Sequence, residues 1–237
     1  MKVISAGFQI LGNISAENIL CSIEAAGRTC YKSESVVSPE TARPFVANLI
    51  KRGHESVLEH QSVSVRIICD RGVSHEIVRH RIASYSQEST RFCNYSKSGE
   101  VVFIKPCFWC ESELIYQVWK NHMVIAEQVY LQMIYHGAKP QEARSVLPNS
   151  LKTEIVVTMN LREWRHFFKL RAAGAAGTPH PQMLEITVPM LEEFKRKIPV
   201  VFDDITTSKE FGVRDFTAET RSGTVNPTVR EQPGKAA

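Results

Sequence analysis

Residues 79–91 concentrate side chains of the types that bind phosphorylated ligands. The segment reads Arg-His-Arg-Ile-Ala-Ser-Tyr-Ser-Gln-Glu-Ser-Thr-Arg, with three arginines, one histidine and three serines. A guanidinium binds phosphate through two parallel hydrogen bonds and stays charged at any working pH, while serine hydroxyls and backbone N–H groups complete the contacts. The alternative is a solvated basic helix face, which charge runs usually form. The spacing favours a phosphate site.

The flanking residues predict how this segment is held. Gly72 indicates the end of an element and Ser74, two residues later, is typical of a helix N-cap, so we expect a short helix over 74–82. Its apolar positions would be Ile77, Val78 and Ile82. From residue 83 the sequence becomes polar, and we expect a loop that folds back over the helix end and carries Ser89 and Arg91. Helix and loop would form two walls of one anion pocket.

The same segment matches every fixed position of RHRxxSxxxxSxR, the fingerprint of the flavin-dependent thymidylate synthases. Three further segments resemble that family in the right order. They are HExxxEH over 54–60, the ARxxLP segment around 144–148 and the NxRxxxxFxxLR helix over 160–171. A pattern with six fixed positions is far more specific than a lone glycine motif. The resemblance covers about residues 1–203.

The resemblance implies an α/β (α+β) fold in which a central, largely antiparallel sheet is flanked by helices. It also implies a homotetramer whose active sites lie between subunits, so that distant segments meet in one site. We expect a single catalytic domain over 1–205. Because apolar residues are sparse after it, we expect a disordered C-terminal tail over 206–237.

Hydrophobic periodicity predicts the remaining elements. Strands are expected over 1–9, 62–69, 101–104 and 153–159, and helices over 15–30, 38–52, 111–135, 140–147 and 161–170. A last helix over 183–194 is expected to bend or restart at Pro189. The helix over 111–135 would be the longest, and we interpret it as a packing or subunit-interface element.

The activity implied by the resemblance is reductive methylation of 2′-deoxyuridine 5′-monophosphate (dUMP) to thymidylate (dTMP). Methylenetetrahydrofolate would give the carbon, reduced FAD the hydride, and NADPH would reduce the flavin. A cation near N3 and O4 of uracil stabilises negative charge on the ring, and the resemblance gives this role to Arg171. The alternative for Arg171 is an arginine that interacts with the dipole at a helix C-terminus.

The resemblance assigns the nucleotide site to several segments, with Arg171 and Ser89 at the catalytic centre. The dUMP-binding residues would be Glu76, Arg79, Gln87, Glu88, Ser89, Thr90, Arg91, Arg144 and Arg171. We assign Ser89 to binding and not to nucleophilic attack, since His80 is nine residues away and no acid is evident to orient it. Cys93 lies outside the fingerprint and lacks an activating base nearby in the sequence.

The resemblance assigns a second set of residues to FAD. These would be His54, Ser56, Arg79, His80, Arg81, Gln87, Asn160, Arg162 and His166. His54 would lie near the flavin and shape the folate site, and the alternative is an ordinary structural histidine. The histidines of HExxxEH are six residues apart and therefore do not share the helix face that HExxH gives a zinc ion. We expect no metal.

Cys107 and Cys110 have CxxC spacing, which is compatible with a zinc half-site or a redox pair. No second closely spaced Cys/His pair follows, so we favour buried small hydrophobic side chains.

Composition limits the classes of partner. The net charge of +4 is modest and is not gathered into a basic run, which argues against nucleic acid. No apolar run approaches the roughly 18 residues of a membrane span, and the first residues lack a signal-peptide core, so we expect a cytoplasmic protein that does not bind membranes. Two alternatives remain. One is a nucleic-acid-binding module with salt-sensitive binding, and the other is a flavin-binding paralogue that makes no thymidylate.

Overall fold

The computed structural model describes residues 1–207. The tail predicted over 206–237 therefore lies, from residue 208 onwards, outside the described residues. Within 1–207, no helix combines the length and the apolar character that a membrane crossing needs.

The centre of the fold is an antiparallel sheet of four strands. The six strands of residues 1–207 are β1 (Lys2–Ile4), β2 (Gly7–Leu11), β3 (Ser62–Asp70), β4 (Ala83–Gln87), β5 (Val102–Ile104) and β6 (Lys152–Asn160). The sheet has the order β2-β3-β6-β4, and β1 pairs separately with β5 in parallel. β3 and β6 pair along their whole length, from Ser62 opposite Asn160 to Asp70 opposite Lys152. The predicted antiparallel sheet is confirmed.

Alternation along β3 and β6 decides which face of the sheet is buried. Val63, Val65 and Ile67 are buried, whereas Arg66 between them is exposed, as expected for a strand with one face on the core. The single strand predicted over 1–9 is wrong. Its first half pairs with β5 and its second half with β3, so the chain must change sheets between Ile4 and Gly7.

Helices connect most of the strands along the chain and pack against the sheet. They are α1 (Ala16–Thr29), α2 (Pro39–Lys51), α3 (Arg71–Ile77), α4 (Leu114–Tyr135), α5 (Pro140–Ala143), α6 (Leu161–Arg171) and α7 (Pro181–Lys197). Ser15 and Ser38 cap α1 and α2 as predicted. α7 runs through Pro189 as one helix, so of the two alternatives expected there, a bend or a restart, the restart does not occur. The expectation of one helix over 140–147 is wrong, because α5 stops before Arg144, which lies in a 3₁₀ turn, Arg144–Val146.

The helix predicted over 74–82 is displaced towards the N-terminus. The Asp70 carboxylate accepts a hydrogen bond from Val73 N at 2.8 Å, so Asp70 is the N-cap and α3 begins at Arg71. Ser74 is buried inside the helix instead of capping it. Of the three expected apolar positions only Ile77 is buried, while Val78 is 38% and Ile82 67% exposed.

The polar residues 83–87 form a strand, not the expected loop. β4 pairs with the free edge of β6 from Ala83 opposite Met159 to Gln87 opposite Ile155. Ser84 and Ser86 point to solvent, and the half-buried Ala83 and Tyr85 pack against the core. The polar composition reflects an edge strand with one solvated face. Ser89 and Arg91 lie in a loop, as predicted, but this loop begins only after β4.

The apolar side of α4 faces away from the protein. Its inner face packs Met123 and Tyr130 into a small second core beside β5. The apolar residues predicted for the packed face are Leu114, Val118, Ile125, Val129 and Met133. Of these, Leu114 is 80% exposed, and Val118, Ile125 and Val129 are exposed as well. Within the protomer, α4 therefore keeps an uncovered apolar surface, which we call the outer α4 face.

A buried arginine on α6 joins three segments. The Arg165 side chain is 1% exposed and donates hydrogen bonds to Glu55 at 2.9 and 3.1 Å and to Asp204 at 2.6 and 2.7 Å. It also donates to the carbonyl of Val201. These contacts lower the pKa of the Asp204 carboxyl. A buried charge is tolerated only with such partners, so the C-terminal segment and the segment around Glu55 are fixed to α6 together.

The double variant Glu55→Gln/Asp204→Asn tests this junction. It leaves the buried guanidinium without a counter-charge, and we expect the free energy of unfolding to fall by about 3–5 kcal/mol. Urea unfolding followed by circular dichroism measures it. The control is Glu193→Gln, which removes the exposed ion pair with Arg196 and should cost less than about 1 kcal/mol. Equal losses in the two variants would contradict the role of Arg165.

Candidate active site

Helix α3 and the end of β4 hold the loop after β4 in place. The Gln87 amide donates to Ser74 Oγ at 2.9 Å and to Thr153 Oγ1 at 3.2 Å, which fastens the end of β4 to α3 and β6. The Arg71 guanidinium donates to the carbonyl of Glu88 at 3.3 Å. Both Ser74 and Thr153 are buried, so the start of the loop is rigidly placed.

The Glu88 side chain, predicted to bind nucleotide, is engaged by protein partners in this protomer. Lys152 Nζ lies 3.0 Å and the Tyr95 hydroxyl 2.8 Å from its carboxylate. Burial and the neighbouring Glu88 raise the pKa of the Tyr95 hydroxyl, so it stays a donor. The Glu88 N–H is also occupied, by the carbonyl of Glu154. Glu88 thus fixes the loop through both its carboxylate and its backbone N–H.

Two arginines converge on the tip of this loop. Arg144 donates to Thr90 Oγ1 at 3.2 Å, and Arg91 donates to Gln141 Oε1 at 3.1 Å. Both are exposed, and neither has a carboxylate within ion-pair distance among residues 1–207. Ser89 Oγ accepts the backbone N–H of Arg91 at 3.3 Å and shapes the turn. The predicted residues 89–91 and Arg144 therefore meet in one place and carry uncompensated positive charge.

Arg171 ends α6 and reaches the C-terminal end of α3. Its Nη1 lies 2.8 Å from Glu76 Oε2, Nη2 donates to the Glu76 carbonyl at 3.3 Å, and Nε donates to His80 Nε2 at 3.2 Å. The buried Thr187 hydroxyl donates to the Arg171 carbonyl at 2.6 Å. Three predicted site residues, Glu76, His80 and Arg171, are thus in direct contact.

His80 lies in a buried polar cluster. It is 5% exposed, its Nδ1 lies 3.4 Å from Glu163 Oε1, and its ring packs edge-on against Phe167 and His166. Burial, and then the positive charges of Arg171 and His166, lower the pKa of His80 to about 4. Burial raises the pKa of Glu163. His80 is therefore neutral at working pH.

The same cluster has the composition of a metal-ligand set. One ligand atom each of His80, Glu163 and His166 lies within 4.8 Å of the others. However, the Arg171 N–H occupies the lone pair of His80 Nε2, so the proton of the neutral ring is on Nδ1, the atom that faces Glu163. With Arg171 in this position, His80 offers no lone pair to a metal ion.

A cavity of about 500 Å³ opens beside this cluster. It is lined by Glu55, Glu59, Ile82, Asn160, Arg162, Glu163, His166 and Lys169. Three of the residues predicted to bind FAD, Asn160, Arg162 and His166, are therefore together. The Arg162 guanidinium pairs with Glu59 at 2.5 Å, and Asn160 Oδ1 caps α6 by accepting the Glu163 N–H.

The other residues predicted to bind FAD lie outside the cavity lining of the protomer. His54 and Ser56 are exposed on the segment that precedes β3. Arg79 and Arg81 are exposed on the turn between α3 and β4 and have no ion-pair partner within the described part of the chain. Three of the nine predicted flavin residues therefore line the cavity of the protomer. His80 contacts two lining residues, Glu163 and His166, and Gln87 instead bonds Ser74 and Thr153.

Several residues of the site were not predicted. The Tyr85 hydroxyl donates to the carbonyls of Ile77 at 3.0 Å and His80 at 2.5 Å, and burial raises its pKa to about 12. Thr187 and Arg71 hold backbone atoms of the site. Glu163 could have been identified from its position in the first turn of α6, whereas Tyr85 and Thr187 act through tertiary contacts that local sequence does not reveal.

The cysteines follow the prediction only in part. Cys69 is buried, but Cys107 and Cys93 are half-buried and Cys110 is exposed, so the expectation of a buried Cys107–Cys110 pair is wrong. Burial and the neighbouring Glu185 raise the pKa of Cys107 to about 12. This environment opposes thiolate formation at Cys107.

The sequence of the chain is similar to those of known proteins. The family model for thymidylate synthase complementing protein matches residues 15–200. The flavin-dependent thymidylate synthase of Pyrococcus furiosus is 36% identical over 173 residues, which are 72% of this chain and 70% of that protein. The flavin-dependent thymidylate synthase of Geobacter sulfurreducens is 35% identical over 190 residues, which are 77% of this chain and 80% of that protein.

A solved structure also has the same fold. The UMP/dUMP methylase PolB from Streptomyces cacaoi, bound with 5-Br dUMP, aligns with a TM-score of 0.71 at 20% identity. The alignment covers 85% of this chain and 95% of that chain. At this level of identity the likeness concerns the fold.

The lowered pKa of His80 predicts how stability depends on pH. An unfolded histidine has a pKa of 6.5, and the native ring one of about 4. Between these values the unfolded chain binds more protons, so the stability contributed at neutral pH is lost as the pH falls. From about pH 7 to about pH 5, wild type should lose on the order of 1 kcal/mol more than His80→Gln. Urea unfolding measures both.

The matched control is His75→Gln, which removes an exposed histidine from α3. We expect it to keep the pH dependence of the wild type. If His80→Gln and His75→Gln have the same dependence, His80 is not buried as a neutral ring.

Proposed function

Since the chain belongs to the family of flavin-dependent thymidylate synthases, we propose that it catalyses the reductive methylation of dUMP to dTMP. Methylenetetrahydrofolate is the carbon donor in this proposal, FAD is the cofactor, and NADPH is the reductant. The observation that carries it is the position of Arg171. Its guanidinium is held by Glu76 and His80 beside the cavity, and only 22% of its side chain is exposed.

The charges around the loop after β4 support a nucleotide monophosphate as substrate. Arg91 and Arg144 carry positive charge and have no carboxylate within ion-pair distance among residues 1–207. Guanidinium groups bind phosphate through paired hydrogen bonds. Arg71 and Lys152 hold the backbone and side chain of Glu88. In this assignment Arg91 and Arg144 bind the phosphate, while Ser89 and Thr90 contact the sugar and base.

Arg171 would act on the pyrimidine. The methylation requires negative charge to develop on the uracil ring, and a fixed cation near N3 and O4 stabilises that charge best when no reorganisation is needed. The contacts of Arg171 with two side chains and of its carbonyl with Thr187 support such a fixed position. Ser89 would orient the base without attacking it, because within residues 1–207 its Oγ bonds the backbone N–H of Arg91 and no general base.

The cavity beside His80 fits a flavin by its chemistry. Asn160, Arg162, His166 and Lys169 offer N–H donors, Ile82 offers apolar surface, and Arg79 and Arg81 add positive charge nearby for phosphate groups. When bound, FAD would supply the hydride. The surrounding residues would bind and orient it, and His54 and Ser56 would complete the site.

The outer α4 face supports a homotetramer. A run of exposed apolar residues on a 22-residue helix is unusual in a monomer and is typical of an interface. Assembly would also explain why His54, Ser56, Arg79 and Arg81 lie outside the cavity of one protomer, since sites between subunits gather residues from several chains. The single domain over 1–205 and the cytoplasmic location stay predictions from the sequence.

The first test of the function is spectroscopic. We expect the purified protein to bind added FAD and show flavin absorbance, and NADPH without oxygen should bleach it, faster when dUMP is present. Thymidylate should form when methylenetetrahydrofolate is added. Absence of flavin binding would overturn the proposal. Flavin reduction without thymidylate would favour the paralogue that lacks methyl transfer, and salt-sensitive polynucleotide binding without a chromophore would favour the nucleic-acid module.

Two single variants test whether the protein supplies a nucleophile. Ser89→Ala removes one neutral hydrogen bond, so we expect kcat/KM for dUMP to fall by about 3- to 10-fold without loss of turnover. Cys93→Ser should retain activity. Steady-state kinetics with dUMP measure both, with bound FAD as the control. Complete loss of turnover in either variant, with flavin and nucleotide still bound, would contradict hydride transfer without an enzyme nucleophile.

A further inference from the structure

We propose that His80 is a positioning residue that acts through Arg171. As a neutral imidazole it accepts the Nε–H of Arg171 and sets the direction in which that guanidinium meets the pyrimidine. The inference rests on the proposed function, because it concerns the same site. It gives His80 a role on the nucleotide that is separate from any contact with flavin.

The Arg171 guanidinium uses only some of its hydrogen-bond donors on partners within residues 1–207. A guanidinium has five N–H groups. Nε donates to His80 Nε2, one N–H of Nη1 to the Glu76 carboxylate and one of Nη2 to the Glu76 carbonyl. Within residues 1–207 two donors remain, one on each terminal nitrogen. These N–H groups are available to acceptors of a ligand, such as N3 or O4 of an ionised uracil.

His80 adds a contact to Arg171 that Glu76 does not make. Glu76 contacts only the terminal nitrogens, whereas His80 accepts the Nε–H. With all three nitrogens bonded, the planar guanidinium is held in one orientation at both its tip and its stem. A side chain held in this way loses less freedom when ligand binds.

His80 is itself held in place by three neighbouring residues. Its Nδ1 faces Glu163 at 3.4 Å, its ring packs on Phe167, and its carbonyl accepts the Tyr85 hydroxyl. The charged and titratable groups around the ring are Glu163, His166, Arg171 and Tyr85, with Glu76 behind Arg171. A protonated ring would direct an N–H at the guanidinium and lose the bond. The lowered pKa of His80 agrees with an acceptor at Nε2.

A pair of amide variants separates the two ring nitrogens. In His80→Gln the amide oxygen can reach the position of Nε2, so the acceptor for Arg171 is kept. In His80→Asn the shorter amide reaches only the position of Nδ1, and this acceptor is lost. We expect His80→Gln to keep the Kd for dUMP within about threefold of wild type and His80→Asn to raise it about tenfold, since a hydrogen bond to a charged group is lost. Calorimetric titration with dUMP measures the Kd.

Three measurements distinguish positioning from a general effect on the site. Bound FAD, read by absorbance, should be the same in the two variants, because both lose the imidazole. The two should also differ in KM for dUMP more than in the rate of flavin reduction by NADPH. In an Arg171→Ala background, the difference between Gln and Asn at position 80 should disappear, as a double-mutant cycle requires.

Equal dUMP affinity of His80→Gln and His80→Asn would overturn the inference, and so would a difference that persists without Arg171. If His80→Asn does not fold, Glu163→Ala replaces it, since it frees the ring to turn and should raise the Kd severalfold only when Arg171 is present. Failure of the wild type to bind dUMP would instead overturn the proposed function.

Discussion

The register between β3 and β6 is the constraint on which the site depends. The two strands pair over nine residues, and the last residue of each also caps the helix that follows: Asp70 caps α3 and Asn160 caps α6. Because the strands are antiparallel, the two helices start from opposite ends of the pair and run back towards each other. The end of α6 thereby brings Arg171 against Glu76 of α3. Hydrogen bonds of the sheet thus set a contact between two helices.

The arginines of the protein divide according to their partners. Arg165 is buried and compensated by Glu55 and Asp204, and it stabilises the fold. Arg91 and Arg144 are exposed and lack a carboxylate within the described residues, so their charge is available to an anion. Arg171 lies between these cases: it is partly buried and paired, yet two of its N–H groups have no partner among residues 1–207. The more deeply an arginine is buried, the more completely its charge is paired, because burying an unpaired charge costs free energy.

Sequence reasoning predicted the parts of the fold that local signals determine. Regular alternation predicted β3, a run of β-branched residues predicted β6, and cap residues predicted the starts of α1 and α2. It misplaced α3 because Asp70 and Ser74 are both good caps and only the folded chain shows which one is used. It missed β4 because Ala83–Gln87 becomes a strand through pairing with β6. For α4 it predicted the period but not which apolar side faces the core. In the site, the fingerprint over 79–91 supplied His80 and the NxRxxxxFxxLR segment supplied Arg171, whereas the support from Tyr85 and Thr187 is purely tertiary.

Because Asp70 and Asn160 belong to a strand and a helix at once, no loop residue separates β3 from α3 or β6 from α6. One inserted residue at either junction would turn the following helix by about 100° about its axis and carry Glu76 or Arg171 off the site. We therefore expect chains of this fold to vary in length within the exposed residues 175–178 but not at these two junctions. The site therefore constrains the length of the chain at these two strand–helix boundaries, and we expect insertions and deletions to be tolerated only elsewhere.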